Sequence, residues 1–383
     1  MTHTPTDPDD RPARVAGPLA LVKHLRGEGF TVIDASSHEA LAQVGTGRQP
    51  HTLAVHPGGR WGYVPYMGSN TLEVIDLGSL DVTARLAQDQ IGTAPVGAAL
   101  TRTGEYLFVS CYGGLPDHDS PGLSVFATGG GDLALAAQLP VGTAGGVAVD
   151  VRNDVWVALK DQNAVVRLAG QPPFDDRDRF SVPGDPQDVA YAAAYGLLGV
   201  NNVDDGSVTF LDTLAGELRG TVPAPNPRGG TAVPAAGRWF VGDTEDDGVT
   251  AIDVTAVRAG AGGRLDGAAD RVALGTPTAF TDATPDGAVL AIDAYEDDRV
   301  TFLDPTTLDV VARIRTGETP HHPRFSPDGG VCYVPNTDED TVTVLDTTQL
   351  RGDDPTAPIV TTIDFPDGSA PSGCFRTDRR ESL

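Results

Sequence analysis

Histidine follows proline in two matching stretches of the sequence. One is "QPHTLAVHPGGRWGYVPY", which begins at Gln49, and the other is "TPHHPRFSPDGGVCYVPN", which begins at Thr319. A third histidine, His24, lies in "LALVKHLRGE" near the start of the chain. Neutral imidazole binds Zn, Cu and Fe, and it also accepts or donates protons near neutral pH. These stretches can carry a metal site or acid–base chemistry, provided that the fold brings them together.

Both stretches belong to a repeat that runs through the chain. Alternating strands that end in Asp or Ala recur about every 42 residues, with two longer intervals. The strand ends fall at Asp34, Asp76, Ala127, Ala169, Asp212, Asp253, Asp304 and Asp346. The longer intervals hold the insertions "YGGLPDHDSPG" and "VRAGAGGRLDGAAD". Four short strands fit into each unit, which is the pattern of a β-propeller blade.

The two ends of the chain decide the number of blades. Seven complete units begin near Gln49, Thr93, Thr143, Asp185, Pro225, Thr276 and Glu318. The front of the chain adds three strands, and the back adds one, "APSGCFRTD". Joined, they make a composite blade that closes the ring and removes the open sheet edges. We therefore predict an all-β, eight-bladed propeller over residues 18–383, preceded by a polar tail at 1–17. The alternative is seven blades with a terminal remnant paired outside the ring.

The motifs "YVPN" followed by "EDTVTVLD", and "YVPYMGSNTLEVID", resemble the YVTN-type repeat of YncE-like and surface-layer-like β-propellers. The resemblance extends over nearly the whole chain and implies the propeller fold. The family includes binding proteins, and related propellers include lactonases, lyases and haem d1 or copper enzymes. The resemblance therefore implies no single activity, and its structural motif transfers no catalytic residue.

In a propeller, the loops that lead into the inner strands share one face with the loops that join the second and third strands. We call this the mouth face. It is predicted to hold His24, His51, His321 and His322, in three blades that become neighbours when the ring closes. We predict a Zn, Cu or Fe site held by His24, His51 and His322, with haem as a weaker alternative. His321 and His322 are also predicted catalytic residues. The structural alternative is that each histidine hydrogen-bonds the backbone of a neighbouring blade.

Other polar side chains are predicted on the mouth face. We interpret Asp243 and Asp293 as catalytic general bases, and Asp188 as a substrate contact or a partner of the metal ligands. Arg228 and Lys160 are placed to bind a substrate carboxylate, with local salt bridges as the alternative. The remaining predicted substrate contacts lie where second strands end, at Tyr66, Asn202 and Asn336.

The charge of the chain narrows the range of partners. The formal net charge is −26, which argues against binding to nucleic acid and to anionic membrane surfaces. The sequence contains no run of 18 apolar residues, so we predict no membrane span. Three cysteines in a chain of 383 residues favour a reducing compartment, so the cytoplasm is the expected location.

Two functions fit these patterns. In the first, a small polar or anionic molecule enters the channel mouth, and the histidines with a metal activate water or polarise a carbonyl. Lactone hydrolysis, lyase-type elimination and metal-dependent oxidation all fit this hypothesis, and the sequence does not select among them. In the second, a non-catalytic propeller presents a rigid surface to a protein or ligand. Histidine, arginine and lysine gathered at one mouth of an acidic protein favour the enzyme.

Overall fold

The computed structural model describes residues 18–113, 121–129, 131–352 and 355–376. The tail predicted at 1–17 lies outside these ranges, as do His3 and His118. Within them, 32 strands form eight antiparallel sheets of four strands each. The predicted eight-bladed propeller is confirmed.

Each sheet is one blade, and the first strands of successive blades adjoin one another around the central channel. From the channel outward, the composite blade consists of β32 (Pro371–Arg376), β1 (Leu19–His24), β2 (Glu28–Asp34) and β3 (Glu39–Arg48). In the same order, blade 1 consists of β4 (Ala54–Val55), β5 (Trp61–Tyr66), β6 (Thr71–Asp76) and β7 (Asp81–Leu86). Blade 2 consists of β8 (Pro95–Leu100), β9 (Tyr106–Cys111), β10 (Leu123–Gly129) and β11 (Asp132–Leu139), and blade 3 consists of β12 (Ala144–Val149), β13 (Asp154–Leu159), β14 (Ala164–Ala169) and β15 (Asp176–Ser181). Blade 4 consists of β16 (Pro186–Ala192), β17 (Leu197–Asn202), β18 (Ser207–Asp212) and β19 (Glu217–Pro223); blade 5 of β20 (Pro227–Val233), β21 (Arg238–Asp243), β22 (Val249–Asp253) and β23 (Ala269–Val272); blade 6 of β24 (Thr281–Ala283), β25 (Leu290–Ala294), β26 (Arg299–Leu303) and β27 (Val310–Arg315); blade 7 of β28 (Arg324–Phe325), β29 (Val331–Asn336), β30 (Thr341–Asp346) and β31 (Ile359–Asp364).

Burial differs sharply between the middle and the outer strands. The middle strand β13, "DVWVAL", is buried along its whole length because both of its faces pack against neighbouring blades. The outer strand β15, "DRDRFS", is mostly exposed and alternates charges along an unpaired edge, which discourages pairing with other chains. The apolar core therefore lies between the blades.

The composite blade closes the ring as predicted. Strand β32 pairs antiparallel with β1, with Leu21 opposite Phe375. Ala20 and Val22 pack in one apolar cluster with Tyr333 and Val344 of blade 7, so the first and last parts of the chain share a core.

Helix is scarce, as the sequence indicates. The stretch "SSHEALAQV" forms a turn and β3, with His38 in the left-handed region at φ 60°. In the described ranges, two short α-helices occur, α1 (Gln88–Ile91) and α2 (Val254–Arg258), together with two single-turn 3₁₀ helices. Helix α2 begins the second insertion, where the Asp253 carboxylate caps it by accepting hydrogen bonds from the Thr255 and Ala256 backbone. No helix in the described ranges is long and apolar enough to cross a membrane.

Candidate functional site

A cavity of about 830 Å³ lies at the mouth face, where the inner strands begin. Its size is within the range of small-molecule sites. The polar and aromatic side chains that matter for chemistry in its wall are Lys23, His51, Tyr112, Asp188, Arg228, Phe280, His321, His322 and Arg324.

Three of the four histidines predicted on the mouth face line this cavity. His321 and His322 lie in the loop that leads into β28, and their ring centroids are 4.6 Å apart. The His322 ring also stacks on Phe280 of the neighbouring blade, at an interplanar angle of 20°. The Nδ1 atom of His321 lies 3.0 Å from the Ser372 hydroxyl, and this contact does not involve the other ring nitrogen, Nε2. The third histidine, His51, comes from the loop that leads into β4.

These histidines are held neutral. Burial, followed by the nearby Lys23 ammonium, lowers the pKa of His51 to about 4 and that of His321 to about 3. Burial also holds the pKa of His322 well below its usual range, with His321 as the next cause. At neutral pH each ring therefore has one N–H donor and one acceptor nitrogen. Such rings are weak bases, but they can donate hydrogen bonds to developing negative charge.

The cavity contains a lysine that the sequence analysis did not single out. Lys23 lies on β1, behind the inner strand β32, and donates a hydrogen bond to the His51 carbonyl at 3.3 Å. It reaches the cavity past Gly373, where a Cβ atom would stand 2.9 Å from the Lys23 Cε atom. Burial lowers the pKa of Lys23 to about 8; Asp188 opposes this shift and Arg324 adds to it.

Three arginines and two aspartates complete the charged wall, and two of them, Arg26 and Asp338, pair with each other at 3.0 Å. Arg324 lies on β28 and donates to Asp282 at 3.2 Å. Arg228 lies on β20 and donates to the neutral Gln187 side chain at 2.8 Å. Burial raises the pKa of Asp188, while Arg228, Lys160 and Lys23 act against that shift in this order. The wall thus concentrates positive charge in a chain whose formal net charge is −26.

The predicted anion-binding residues Arg228 and Lys160 are joined by a chain of polar contacts. The Lys160 ammonium pairs with Asp185 at 3.0 Å, and the other Asp185 oxygen accepts from the Gln187 amide at 2.6 Å. The Gln187 oxygen then accepts from Arg228. Lys160 itself lies outside the cavity wall, with its ammonium 4.9 Å from the centroid of the Tyr112 ring. The four residues Lys160, Asp185, Gln187 and Arg228 are called the guanidinium support below.

The structure does not bring His24 into the cavity. Its side chain is fully buried inside the composite blade, where Nδ1 contacts the Glu28 carbonyl at 3.0 Å and Nε2 contacts the Thr31 hydroxyl at 2.9 Å. Neighbouring strand residues point to opposite faces, so when Lys23 faces the cavity His24 cannot. The register also shifts between Val22 and His24, where β1 pairs with β32. The predicted ligand set of His24, His51 and His322 is therefore not assembled.

Three predicted substrate contacts are structural. The amides of Asn202 and Asn336 donate to the hydroxyls of their own blades, to Ser207 and Thr209 in one case and to Thr341 and Thr343 in the other. Tyr66 is buried between the composite blade and blade 1, with its ring against Gly47. Side chains at the end of the second strand of a blade point into the space between blades, so these three side chains do not reach the channel.

The two predicted general bases also lie outside the cavity wall. The Asp243 carboxylate is buried, caps the Glu245 and Asp246 backbone, and pairs with Arg271 at 2.7 Å. Asp293 is buried behind the histidines. Its carboxylate accepts backbone hydrogen bonds from Ala279 at 2.7 Å, Phe280 at 2.8 Å and His322 at 3.2 Å. His322 has φ 53°, a strained conformation for this residue type, so Asp293 is a positioning residue for the cavity wall.

The donor set of the cavity does not favour a dedicated metal site. Within the described ranges, no group of three or more His, Cys, Asp or Glu side chains is arranged to hold a metal ion. One feature fits a single axial ligand: the buried His51 Nδ1 atom has no hydrogen-bond partner among the described residues.

The fold resembles solved structures of low sequence identity. One is dihydro-heme d1 dehydrogenase NirN in complex with DHE, with 19% identity and a TM-score of 0.73, covering 96% of this chain and 77% of that one. A putative 6-phosphogluconolactonase from Bacteroides fragilis has 14% identity and a TM-score of 0.61, covering 96% of this chain and 100% of that one. The periplasmic gluconolactonase PpgL of Pseudomonas aeruginosa has 15% identity and a TM-score of 0.59, covering 94% and 99%.

These similarities show the fold alone. No family model matches the chain, and no curated protein does. Fold and site together define an eight-bladed β-propeller with a cation-lined cavity at one mouth of its channel. The resemblance to YVTN-type repeats stays an interpretation of the sequence motifs.

Proposed function

We propose that this propeller is a hydrolase that opens cyclic esters bearing a carboxylate or a similar anionic group. The observation that carries the proposal is the charge of the cavity wall. Lys23, Arg228 and Arg324 converge in a single cavity of a strongly acidic chain, beside three neutral histidines. A wall of this kind attracts an anion, which the acidic remainder of the protein surface repels.

Arg228 is the first candidate to bind the substrate anion. Its guanidinium has a neutral partner in Gln187, and no ion pair with a carboxylate is found for it in the described part of the chain. Its remaining N–H groups can form charge-assisted hydrogen bonds with a carboxylate. Arg324, already bonded to Asp282, adds positive potential on the blade 7 side of the cavity.

The remaining wall residues suit attack of water on an ester carbonyl. The Lys23 amine accepts a proton as water attacks the carbonyl carbon, and a histidine N–H donates to the oxyanion that forms. When the tetrahedral intermediate collapses, the ring C–O bond breaks and the Lys23 ammonium returns the proton to the leaving alkoxide. The product is an open hydroxy acid. The gluconolactonase PpgL and the putative 6-phosphogluconolactonase support this choice by fold only.

A matched pair of substrates tests the proposal. γ-Butyrolactone and its γ-carboxylate differ only in the carboxylate, and hydrolysis of either releases acid that a pH-stat records. We expect kcat/KM to be at least about tenfold higher for the carboxylate, and Arg228→Gln to remove most of that preference. Arg264→Gln is the matched control, because Arg264 is exposed and pairs only with Asp266 among the described residues. Equal rates on both lactones would contradict the proposal, and binding without turnover would favour the non-catalytic platform.

A second candidate is binding of a tetrapyrrole, favoured by the buried, unpartnered His51 Nδ1 atom in the cavity wall. His51 would coordinate the iron of a bound haem, and Arg228 and Arg324 would pair with the carboxylates of the tetrapyrrole. A bound haem would supply redox chemistry at its iron. Titration with haem, followed by absorbance for the wild type and for His51→Ala, tests this candidate. A Soret shift that the variant loses would support it, and identical spectra would contradict it.

A further inference from the structure

The chain almost avoids lysine, yet it places one in the cavity. Of its 27 cationic side chains, 25 are arginines and two are lysines, Lys23 and Lys160. Both lysines lie close enough to Asp188 to act on its carboxylate. In such a chain, a requirement for positive charge alone is ordinarily met by arginine.

Lysine differs from arginine in one chemical respect that matters here. A guanidinium keeps its proton at every physiological pH, whereas an ammonium can lose a proton and become a nucleophilic amine. A buried amine beside other cations loses its proton more readily, which is a known route to amine nucleophiles. Lys23 has both conditions, since it lies half-buried in the cavity wall, where burial lowers the pKa of its amine, and lies near Arg324.

The surroundings of Lys23 leave room for a carbonyl compound. Gly373 has no side chain and adopts φ 123°, and the point where its Cβ would stand is 2.9 Å from Lys23 Cε and 3.6 Å from His322 Cγ. A side chain at this position would fill the passage between the lysine and the histidine. The open side of the passage is the cavity that also holds Arg228.

From these contacts we infer that Lys23 is a reactive amine that forms an imine with 2-oxo acids bound in the cavity. The inference rests on the anion site of the proposed function and names a second substrate class for it. The arginine-lined wall holds the carboxylate, which leaves the adjacent ketone carbon facing the amine. The same site would then support lyase-type chemistry through an imine.

The step balances without an external oxidant or reductant. The amine lone pair attacks the ketone carbon, and the nitrogen passes a proton to the former carbonyl oxygen, which gives a carbinolamine. Its hydroxyl leaves as water after a further proton transfer, and the C=N bond forms. His322 lies across Gly373 from Lys23 and can relay these protons, because its neutral imidazole has both a donor and an acceptor.

Reductive trapping tests the inference at single-residue resolution. The protein is treated with pyruvate and cyanoborohydride at pH 7.5, and peptide mass spectrometry compares the adduct at Lys23 with that at Lys160. At this pH an amine of pKa about 8 is roughly a quarter neutral, against about one part in a thousand for an ordinary lysine. We expect at least about tenfold more adduct at Lys23 than at Lys160. Equal labelling, or labelling of Lys160 alone, would overturn the inference.

Variants separate this inference from the hydrolase proposal. Arg228→Gln is expected to reduce the adduct from pyruvate but not the adduct from acetone, which lacks the carboxylate. Lys23→Arg keeps the charge and must abolish trapping at this position, whereas Arg264→Gln, at an exposed residue outside the cavity wall, must not reduce the adduct at Lys23. Lactone hydrolysis without trapping would contradict the imine inference and support the hydrolase proposal. Trapping without lactone hydrolysis would support the imine inference and contradict the hydrolase proposal.

Discussion

Substitution in the guanidinium support separates the positioning of Arg228 from the charge of Arg228. Gln187 joins Arg228 to Asp185, with distances of 2.8 Å and 2.6 Å on its two sides. Gln187→Leu keeps the approximate volume and the Arg228 charge, but it removes both hydrogen bonds. The guanidinium should then sample more rotamers and bind a substrate carboxylate less tightly.

The size of the effect follows from the lost bond. A hydrogen bond to a charged group contributes about 1.5–3 kcal/mol, and Gln187 is only half-buried, so we take the lower end. About 1.4 kcal/mol corresponds to tenfold in affinity. Gln187→Leu should therefore raise the KM for the carboxylated lactone by about tenfold, while deletion of the charge in Arg228→Gln should raise it by about a hundredfold.

The assay is steady-state hydrolysis of the matched lactone pair by the single and double variants. The KM for the neutral lactone should stay unchanged in Gln187→Leu, and its effect should vanish in the Arg228→Gln background. Gln138→Leu is the control, because Gln138 donates to the Gln90 carbonyl on the exposed surface. An undiminished effect of Gln187→Leu in the absence of Arg228 would refute the reasoning.

Three further predictions concern single side chains. The rate of lactone hydrolysis should rise about tenfold per pH unit and level off above about pH 8, because the neutral Lys23 amine is the active form; Lys23→Arg should remove this limb, and an unchanged profile would refute the assignment. Asp293→Asn should lower the free energy of unfolding by about 1–3 kcal/mol and also lower kcat, since the His322 backbone loses its acceptor; urea unfolding and initial rates test this, and unchanged kcat would exclude the positioning role. His24→Gln should destabilise the fold by a similar 1–3 kcal/mol with no more than about a twofold change in KM, because both ring nitrogens bond inside the blade; a selective loss of substrate binding would contradict this placement.

The propeller was predictable because its signal is distributed. Every blade repeats the same alternation of apolar residues and turns, so a wrong assignment at a single residue does not change the predicted number of blades. The composite blade followed from the leftover strands at the two ends, and its order of β3, β2, β1 and β32 agrees with that expectation.

The site was only partly predictable, because side-chain direction depends on single residues. The side chains that line the cavity as predicted lie in the loops that lead into inner strands or at the first residues of those strands, which face the channel mouth: His51, His321, His322, Asp188 and Arg228.

His24 and Lys23 are adjacent in sequence and point to opposite faces of β1, whose pairing with β32 shifts register between Val22 and His24. Periodicity cannot reveal such a shift. The scarcity of lysine in the whole chain was the one signal that could have drawn attention to Lys23.

Direct measurement of anion binding tests the central claim most simply. Calorimetric titration would compare 2-hydroxyglutarate, the product of the carboxylated lactone, with its dimethyl ester, for the wild type and for Arg228→Gln. We expect the acid to bind with an affinity that weakens as salt is added, the ester to bind little, and the variant to lose this preference. Equal affinity for acid and ester in the wild type would contradict an anion site in this cavity.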